Sequence, residues 1–219
     1  MSKETLKTLR ILVPGVILLL FFLPLYKGSL DPSKIVSSLG EIKDLLYLVV
    51  IVPLGALYYI LDLRGPFLRP SLQKIHQNLH HKLLSPFADD PAISVSEAHL
   101  RTDRRLLDIF YFFIDNDESL KERSKNIYLN GLVWSSVADL MATTSLAMTV
   151  YAISFIATSN PHYLKSVGLS GFLFVASTFI LQPLVTKKHI RLQNEQLGYI
   201  LLHKKEELRQ KLRAAAGAL

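Results

Sequence analysis

Four stretches without a single charged residue limit the folds that this sequence can adopt. They are Ile11–Tyr26, Leu45–Leu61, Leu140–His162 and Ser166–Thr186. The chain carries 25 Lys and Arg and 18 Asp and Glu in 219 residues, yet its mean hydropathy is +0.29. The charges are therefore concentrated between apolar blocks, which is typical of a membrane protein and not of a soluble domain.

Each apolar block predicts one membrane-spanning helix, because about 20 mostly apolar residues cross a bilayer and lipid cannot satisfy an unpaired backbone. A signal peptide is the alternative interpretation of the short first block, but LPLYKGSLDPSK after it lacks a small-residue cleavage pattern. Proline and glycine within the first two blocks predict helix kinks, at Pro14-Gly15 and at Pro53 with Gly55. The predicted spans are Ile11–Tyr26, Leu45–Leu63, Leu132–Thr158 and Val167–Thr186.

Positive charge is distributed unevenly around these spans, and this asymmetry predicts their orientation. The loops after spans one and three contain only Lys27, Lys34, Lys43 and Lys165. The other 21 of the 25 Lys and Arg lie in the two termini and in the segment between spans two and three. We therefore expect a multi-pass protein of the inner (plasma) membrane, with both termini and this segment on the cytoplasmic side.

The predicted fold is an all-α polytopic membrane protein with four transmembrane helices in two hairpins. A basic helical cytoplasmic insert separates the hairpins, and a C-terminal cytoplasmic helix follows the second one. The corresponding domains are the tail with hairpin one, the insert, hairpin two and the last helix, over residues 1–63, 64–131, 132–186 and 187–219.

The insert is too apolar for a disordered linker and predicts three helices. One apolar stripe has helical spacing and consists of Leu68, Leu72, Ile75, Leu79 and Leu83. Ser94 and Glu97 then form a capping-box pattern, which predicts a helix that ends in the aromatic sequence LLDIFYFFIDND. A third helix begins near Ser119 and continues without a proline into span three.

Asp139 is the only acid in the interior of a predicted span, and such a carboxylate costs about 2.5–3.5 kcal/mol on insertion scales. A helical wheel places it on a stripe of candidate pore-lining residues: Ser136, Asp139, Thr143, Ala147, Val150 and Ser154. A water-contacting pore face is one interpretation. An interfacial position near Trp134 and a polar contact between packed helices are the alternatives.

Two groups of residues in the insert are candidates for ligand binding. Guanidinium groups suit phosphate, so Arg101, Arg104 and Arg105 could bind a nucleotide or an oligonucleotide, while anionic lipid is the ordinary partner of basic clusters beside spans. His76, His80 and His81 include a chelating i,i+4 pair, with a solvated polar face as the alternative. We predict no metal site, since zinc requires three or four convergent ligands.

Function is constrained less than fold. The sequence contains no nucleophile elbow, Walker loop, HExxH or dinucleotide fingerprint, so we predict neither enzymatic activity nor a cofactor. Two function classes remain open. One is a ligand-gated, homo-oligomeric ion channel; the other is a non-conducting anchor or scaffold subunit whose insert docks a soluble partner through the aromatic patch Phe110–Phe113.

The order of the segments resembles the small multi-pass effectors of bacterial anti-phage defence, such as the Hailong-type channel effectors. The resemblance is one of layout and covers the whole chain: hairpin Ile11–Leu63, basic helical insert Arg64–Gly131, hairpin Leu132–Thr186 and basic helical tail. It implies an inner-membrane pore with an antiviral role, opened when a nucleotide or oligonucleotide reaches the cytoplasmic helices. It implies no particular site residues.

Overall fold

The computed structural model describes residues 3–27, 44–102 and 104–217, and within these ranges the chain is helical and contains no strand. This confirms the all-α prediction for the described residues. The predicted loop that contains Lys34 and Lys43 lies outside them.

Ten α-helices follow one another in the described part of the chain. They are α1 (Lys3–Lys27), α2 (Asp44–Ile60), α3 (Gly65–Leu84), α4 (Pro91–Val95), α5 (Glu97–Thr102), α6 (Arg105–Asn116), α7 (Glu118–Thr158), α8 (Pro161–Ala176), α9 (Gln182–His203) and α10 (Lys205–Gly217). A 3₁₀ turn, Ser85–Phe87, follows α3, and a π turn, Ser177–Leu181, joins α8 to α9.

Two helical stretches among the described residues are long and apolar enough to cross a membrane, Glu118–Thr158 and Pro161–His203. A third is present if α2 and α3 are counted as one span, although the chain bends by 60° at the break between them. Helix α1 contributes a shorter apolar stretch, Thr8–Phe21. These helices support the prediction of a membrane protein.

The chain divides into two compact units. The described residues within 1–70 and 132–185 form the hairpin unit, and those within 71–131 and 186–219 form the insert–tail unit. Helices α3, α7 and α9 each contribute residues to both units along their length.

In the hairpin unit, helices α1 and α2 approach each other through two glycines. A Cβ atom on Gly15 would collide with the carbonyl oxygen of Ile51, and one on Gly55 would collide with the carbonyl oxygen of Ile11. Ile11 lies opposite Gly55, and Gly15, which comes later in α1, lies opposite Ile51, which comes earlier in α2. The two helices are therefore antiparallel. Both glycines therefore serve close backbone packing, as small residues do in membrane helices.

The prolines beside these glycines do not interrupt their helices, since α1 and α2 continue past Pro14 and Pro53. The break comes later, between α2 and α3, where Asp62 has a φ of 46°. The Asp62 carboxylate lies so close to Gly65 that a Cβ on this glycine would collide with it. The chain thus turns at the end of α2, directly before Arg64 and the start of α3.

The second hairpin consists of α7 and α8. The Asn160 side chain accepts a hydrogen bond of 2.9 Å from the His162 N–H, which caps the start of α8. Along the hairpin, the rings of Tyr151 and Tyr163 stack with 6.3 Å between their centroids. The Tyr151 hydroxyl also donates to the Phe21 carbonyl, so α7 is tied to α1 as well.

The insert–tail unit has an apolar core. Its buried residues come from α3, the 3₁₀ turn, all the helices from α4 to α7, and α9 and α10: Leu79, Leu83, Leu84, Phe87, Ile93, Leu100, Leu106, Ile109, Phe110, Phe113, Ile114, Leu120, Leu197, Ile200, Leu208, Leu212 and Ala216. The predicted stripe on α3 is largely confirmed, because Ile75, Leu79 and Leu83 are buried, although Leu72 is exposed.

The helix predicted from the Ser94 and Glu97 pattern is divided into shorter helices. Asp90 is the N-cap of α4 and Pro91 is its first residue, so Ser94 lies inside this helix, and α4, α5 and α6 are separate. Core burial accounts for the break before α6. Leu100 and Leu106 are both buried, whereas six residues along one straight helix would separate their directions by about 120°.

Candidate functional site

Helices of the hairpin unit turn polar or small side chains inward. On α7 the buried residues recur every four positions: Ser135, Asp139, Thr143, Ala147 and Tyr151. The continuous helix formed by α8, the π turn and α9 buries Ser166, Ser170, Ser177 and Gln182. Large apolar side chains are exposed instead, among them Ile153, Ile156, Phe172, Phe179 and Leu184. A polar interior under an apolar surface is the arrangement expected of helices in lipid.

The π turn keeps Gln182 on the buried face. Ser177 and Gln182 are five residues apart, and the Gln182 N–H donates to the Ser177 carbonyl across a single π turn. In a regular α-helix, two residues five positions apart lie on different faces. Pro183 follows directly and has no N–H to continue an α-helical pattern, which accounts for the wider turn at this point.

Asp139 lies at the centre of the buried polar face and is paired with an arginine. Its side chain is 1% exposed, and its Oδ1 atom lies 3.6 Å from Nη1 of Arg64, whose side chain is 12% exposed. Arg64 is held there by the turn between α2 and α3, and its guanidinium also lies 5.5 Å from the ring centroid of Tyr59. Opposite charges thus compensate each other within the unit.

Two hydroxyl groups complete this site, and we call Tyr58, Arg64, Asp139 and Thr143 the Asp139 cluster. Tyr58 lies beside the carboxylate and is buried on the last part of α2. Thr143 stands one turn after Asp139 on α7 and is also buried. The Tyr58 hydroxyl is close enough to the Asp139 carboxylate to donate a hydrogen bond to it. Among the described residues, the Thr143 hydroxyl has no hydrogen-bond partner. The cluster therefore combines one charge pair with two buried hydroxyl groups.

Chemically, the Asp139 cluster can hold a cation or a hydrogen-bonded solute only if the arginine moves away. While the ion pair is formed, the carboxylate charge is compensated. The apolar side chains Leu18, Ala142 and Phe67 pack together with Tyr58. A carboxylate without its arginine would be an unpaired charge in a low-dielectric interior, which strongly attracts a replacement cation.

The predicted pore-lining stripe overlaps this face but is turned slightly away from it. Asp139, Thr143 and Ala147 are buried within the unit, while Ser136, Val150 and Ser154 are half-buried. The hydroxyls of Ser136 and Ser154 each donate to the carbonyl four residues earlier, at 2.9 Å. Within one chain the stripe therefore divides into a buried part and a partly open part.

Sequence reasoning missed the arginine partner and the tyrosine. Arg64 was assigned to the start of the insert, and Tyr58 was one aromatic residue among several in span two. A usable signal existed, because a carboxylate within a span calls for a cation, and Arg64 is the first cation after span two.

The three arginines predicted to bind an anion do not form one group. Arg101 pairs with Glu97 at 2.6 Å on the exposed surface of α5. Arg105 donates from Nη1 to the Ala215 carbonyl at 2.8 Å, and so satisfies a carbonyl in the last turn of α10. Arg104 precedes α6 and acts electrostatically on His76 of α3. Arg105 thus has a structural role, while Arg101 and Arg104 stand near the histidines.

The histidines of α3 differ in their surroundings. His76 and His80 are half-buried and their rings stack with 6.3 Å between centroids, while His81 is exposed. Burial and the nearby charge of Arg104 hold the pKa of His76 below its ordinary range. No group of three His, Asp or Glu side chains able to hold a metal ion occurs among the described residues.

The predicted aromatic patch is only partly at the surface. Phe110 and Phe113 are buried in the core of the insert–tail unit, whereas Tyr111 and Phe112 are exposed. Lys211 of α10 covers the ring of Phe112, with Nζ 3.5 Å from the ring centroid. The patch is therefore not exposed as a whole, because the core of the same unit covers Phe110 and Phe113.

Comparison with known proteins adds no family to this geometry. No protein-family model matches the chain, and neither the curated proteins nor the solved structures give a significant match. The resemblance to anti-phage effectors therefore stays a prediction from layout.

Proposed function

We propose that this chain is the subunit of a homo-oligomeric channel in the inner membrane, and that its described conformation is the closed state. The observation that carries the proposal is the buried ion pair between Arg64 and Asp139 inside a unit with an apolar surface. Ionisable residues within membrane helices are costly and most often belong to ion or proton pathways.

In this proposal the Asp139 cluster controls access to the pathway. Four spans in one copy are too few to enclose a wide aqueous path, so such a path requires several copies arranged around an axis. Helix α7 contributes one Asp139 per copy, and separation from Arg64 frees a ring of carboxylates that favours cations. The contact between Arg64 and Asp139 keeps the pathway closed. When the pathway opens, water and cations replace Arg64 beside the Asp139 carboxylate.

A signal from the insert–tail unit can reach the pair along the chain itself. Arg64 immediately precedes α3, and Asp139 lies on α7, and both helices continue into the insert–tail unit. A phosphate-bearing ligand bound to that unit is the proposed stimulus. The layout shared with anti-phage effectors makes membrane permeabilisation during infection the proposed cellular role.

The proposal includes four spans with both termini in the cytoplasm. The charge-free blocks and the positions of Lys and Arg support it. Because the sequence contains no cysteine, single cysteines at Ser85 and at Lys165 report topology directly. Ser85→Cys should react with an impermeant maleimide only from the cytoplasmic side, and Lys165→Cys only from outside. The opposite labelling of either position contradicts the topology.

The channel itself is tested with purified protein in liposomes, by measuring ion flux and reversal potential in a KCl gradient. We expect Arg64→Gln to raise flux, because the closing pair is lost, and Asp139→Asn to shift the reversal potential toward weaker cation preference. Glu122→Gln on the exposed part of α7 removes the same charge and should change neither quantity. An unchanged reversal potential in Asp139→Asn would exclude the carboxylate ring.

A non-conducting scaffold is the second candidate, and exposed apolar side chains on the insert–tail unit favour it. Val95 is 86% exposed and Leu202 is 77% exposed, and Tyr111 is also at the surface. Such side chains suit the docking of a soluble partner. The mass of the purified particle separates the two candidates, since a monomer without flux in any variant would favour the scaffold.

A further inference from the structure

Helix α9 changes from apolar to basic along one exposed face. Within about one third of the helix circumference, this face presents the exposed side chains of Leu184, Lys187, Lys188 and Arg191. Leu184 is 59% exposed and belongs to the apolar surface of the hairpin unit. The basic side chains begin at Lys187, directly after the division between the two units at residues 185 and 186. The face therefore changes chemistry where the hairpin unit ends.

The three basic residues of this face, Lys187, Lys188 and Arg191, are called the basic strip. Among the residues that the structure describes, none of the three forms an ion pair. Glu195 stands one turn after Arg191 on the same helix and forms no ion pair with it. Three exposed positive charges are thus left without a carboxylate from the described part of the chain.

Helix α7 packs beside α9 in the insert–tail unit and fixes the height of the strip. Nδ2 of Asn130 lies 3.4 Å from Nδ1 of His189, and the Gln196 amide donates to the Ser124 hydroxyl at 2.9 Å. The later residue of α9 thus meets the earlier residue of α7, so the helices are antiparallel. At the height of the basic strip, α7 exposes Tyr128 and Leu129. Basic, aromatic and aliphatic side chains exposed at one height are typical of a membrane–water interface.

We propose that the basic strip binds the phosphate group of an anionic phospholipid. The ammonium and guanidinium groups attract the phosphate, and the exposed Leu184 one turn earlier contacts the acyl part of the same molecule. A soluble phosphate compound would use only the basic half of this face. Phosphatidylcholine carries a compensating cation in its headgroup, so a lipid with net negative charge, such as phosphatidylglycerol, fits better. The inference goes beyond the channel proposal, because such a site serves a conducting and a non-conducting protein alike.

Native mass spectrometry of the full chain in detergent micelles tests the proposal by counting bound lipids. Phosphatidylglycerol and phosphatidylcholine with identical acyl chains are titrated separately. Wild type should bind phosphatidylglycerol about tenfold more tightly or better. Each of Lys188→Gln and Arg191→Gln should weaken phosphatidylglycerol binding about fivefold and leave phosphatidylcholine binding unchanged. The triple variant Lys187→Gln, Lys188→Gln and Arg191→Gln should bind the two lipids alike.

A second triple variant is the charge-matched control. It replaces with glutamine three exposed lysines of the same unit that lie outside the strip: Lys82, Lys121 and Lys205. This variant should keep the preference for phosphatidylglycerol. Circular dichroism establishes that the helices are retained in every variant, and the single variants carry the test if the triple variant of the strip loses them.

Three results would overturn the inference. The first is equal binding of the two lipids by wild type, and the second is an unchanged preference in the strip variants. The third is an equal loss of preference in the control, which would mean a general effect of net charge. Inorganic pyrophosphate added at the lipid concentration distinguishes the remaining source of phosphate: no competition supports the lipid, and full displacement assigns the strip to a soluble anion and contradicts the proposal. Because lipid counting needs no ion flux, a failure of the channel proposal would be seen separately.

Discussion

The hairpin unit buries serine, threonine, glutamine and an Arg–Asp pair, whereas the insert–tail unit buries leucine, isoleucine and phenylalanine. The surfaces are reversed in the same way, because the hairpin unit exposes residues such as Ile156 and Phe172. The two units of one chain thus bury opposite kinds of side chain. The medium around a helix, lipid or water, therefore determines which of its side chains are buried.

Each unit also contains the other kind of contact as a minor component. In the insert–tail unit, buried Gln196 of α9 donates to the Ser124 hydroxyl of α7 at 2.9 Å. Asn78 of α3 donates to the Asn194 side chain of α9 at 2.8 Å. These polar contacts are directional, so they fix the register between the packed helices. The apolar core supplies most of the stability.

The largest expected effect comes from breaking the ion pair of the hairpin unit. Arg64→Gln leaves Asp139 buried without a cation, and we expect the free energy of unfolding to fall by about 3–5 kcal/mol. The double variant Arg64→Gln with Asp139→Asn should recover most of this loss, because no unpaired charge remains. Thermal unfolding in detergent, followed by circular dichroism, measures both.

Arg69→Gln serves as the control for this experiment. Arg69 is exposed on the same helix that follows Arg64, so its replacement should stay within about 0.5 kcal/mol of wild type. If the double variant is as unstable as Arg64→Gln alone, the two side chains are not coupled and the pair does not stabilise the unit.

The next largest effect compares exposed apolar side chains of the hairpin unit and the insert–tail unit. Phe172→Lys places a charge on the exposed face of α8, and membrane insertion should become less favourable by about 2.5–3.5 kcal/mol. Leu202→Lys changes a similarly exposed apolar side chain of the insert–tail unit and should leave insertion unchanged. The membrane-integrated fraction after synthesis in the presence of microsomes or inverted vesicles measures both. Equal effects would mean that the two surfaces face the same solvent.

The smallest effect concerns the surface of the insert–tail unit. Arg213 of α10 donates to the Asp90 carboxylate at 2.8 Å, and this hydrogen bond and charge lower the pKa of Asp90. A lowered pKa in the folded state stabilises the protein above the ordinary pKa of the carboxyl, and the contribution is lost as pH falls below that value. Arg213→Gln should therefore melt lower than wild type near pH 7, and the two should converge in acid.

Melting temperatures of both proteins between pH 7 and pH 3 test this dependence. Arg191→Gln is the control, because it removes a surface arginine that, among the described residues, forms no ion pair with Asp90, and it should differ from wild type by the same amount at every pH. A difference between Arg213→Gln and wild type that is the same at every pH would show that Asp90 is not involved.

Much of the helical architecture follows from local patterns that the sequence displays directly. Charge-free blocks mark the apolar helices, and the leucine spacing of 68–83 marks the buried face of α3. The long helix α7 also agrees with the absence of proline between Ser119 and Thr158. These features depend on neighbours within a few turns, so they can be read without knowing the fold.

The Asp139 cluster could be predicted only in part. Asp139 and Thr143 were recognisable because they interrupt an apolar span, but Arg64 and Tyr58 lie on a different helix. Arg64 meets Asp139 only because the turn after α2 packs against α7. Such contacts arise from packing between distant segments, and helical periodicity contains no information about them.

The position of the two charges in the chain has a consequence for biosynthesis. Arg64 leaves the ribosome roughly 75 residues before Asp139, and at about 5–20 residues per second this delay lasts about 4–15 s. During this interval the first hairpin must tolerate an arginine without its carboxylate, so the side chain is expected to remain at the membrane–water interface. The first hairpin therefore reaches its final packing only after α7 has been made. The hairpin unit therefore assembles in a fixed order, with the first hairpin made before α7 packs against it.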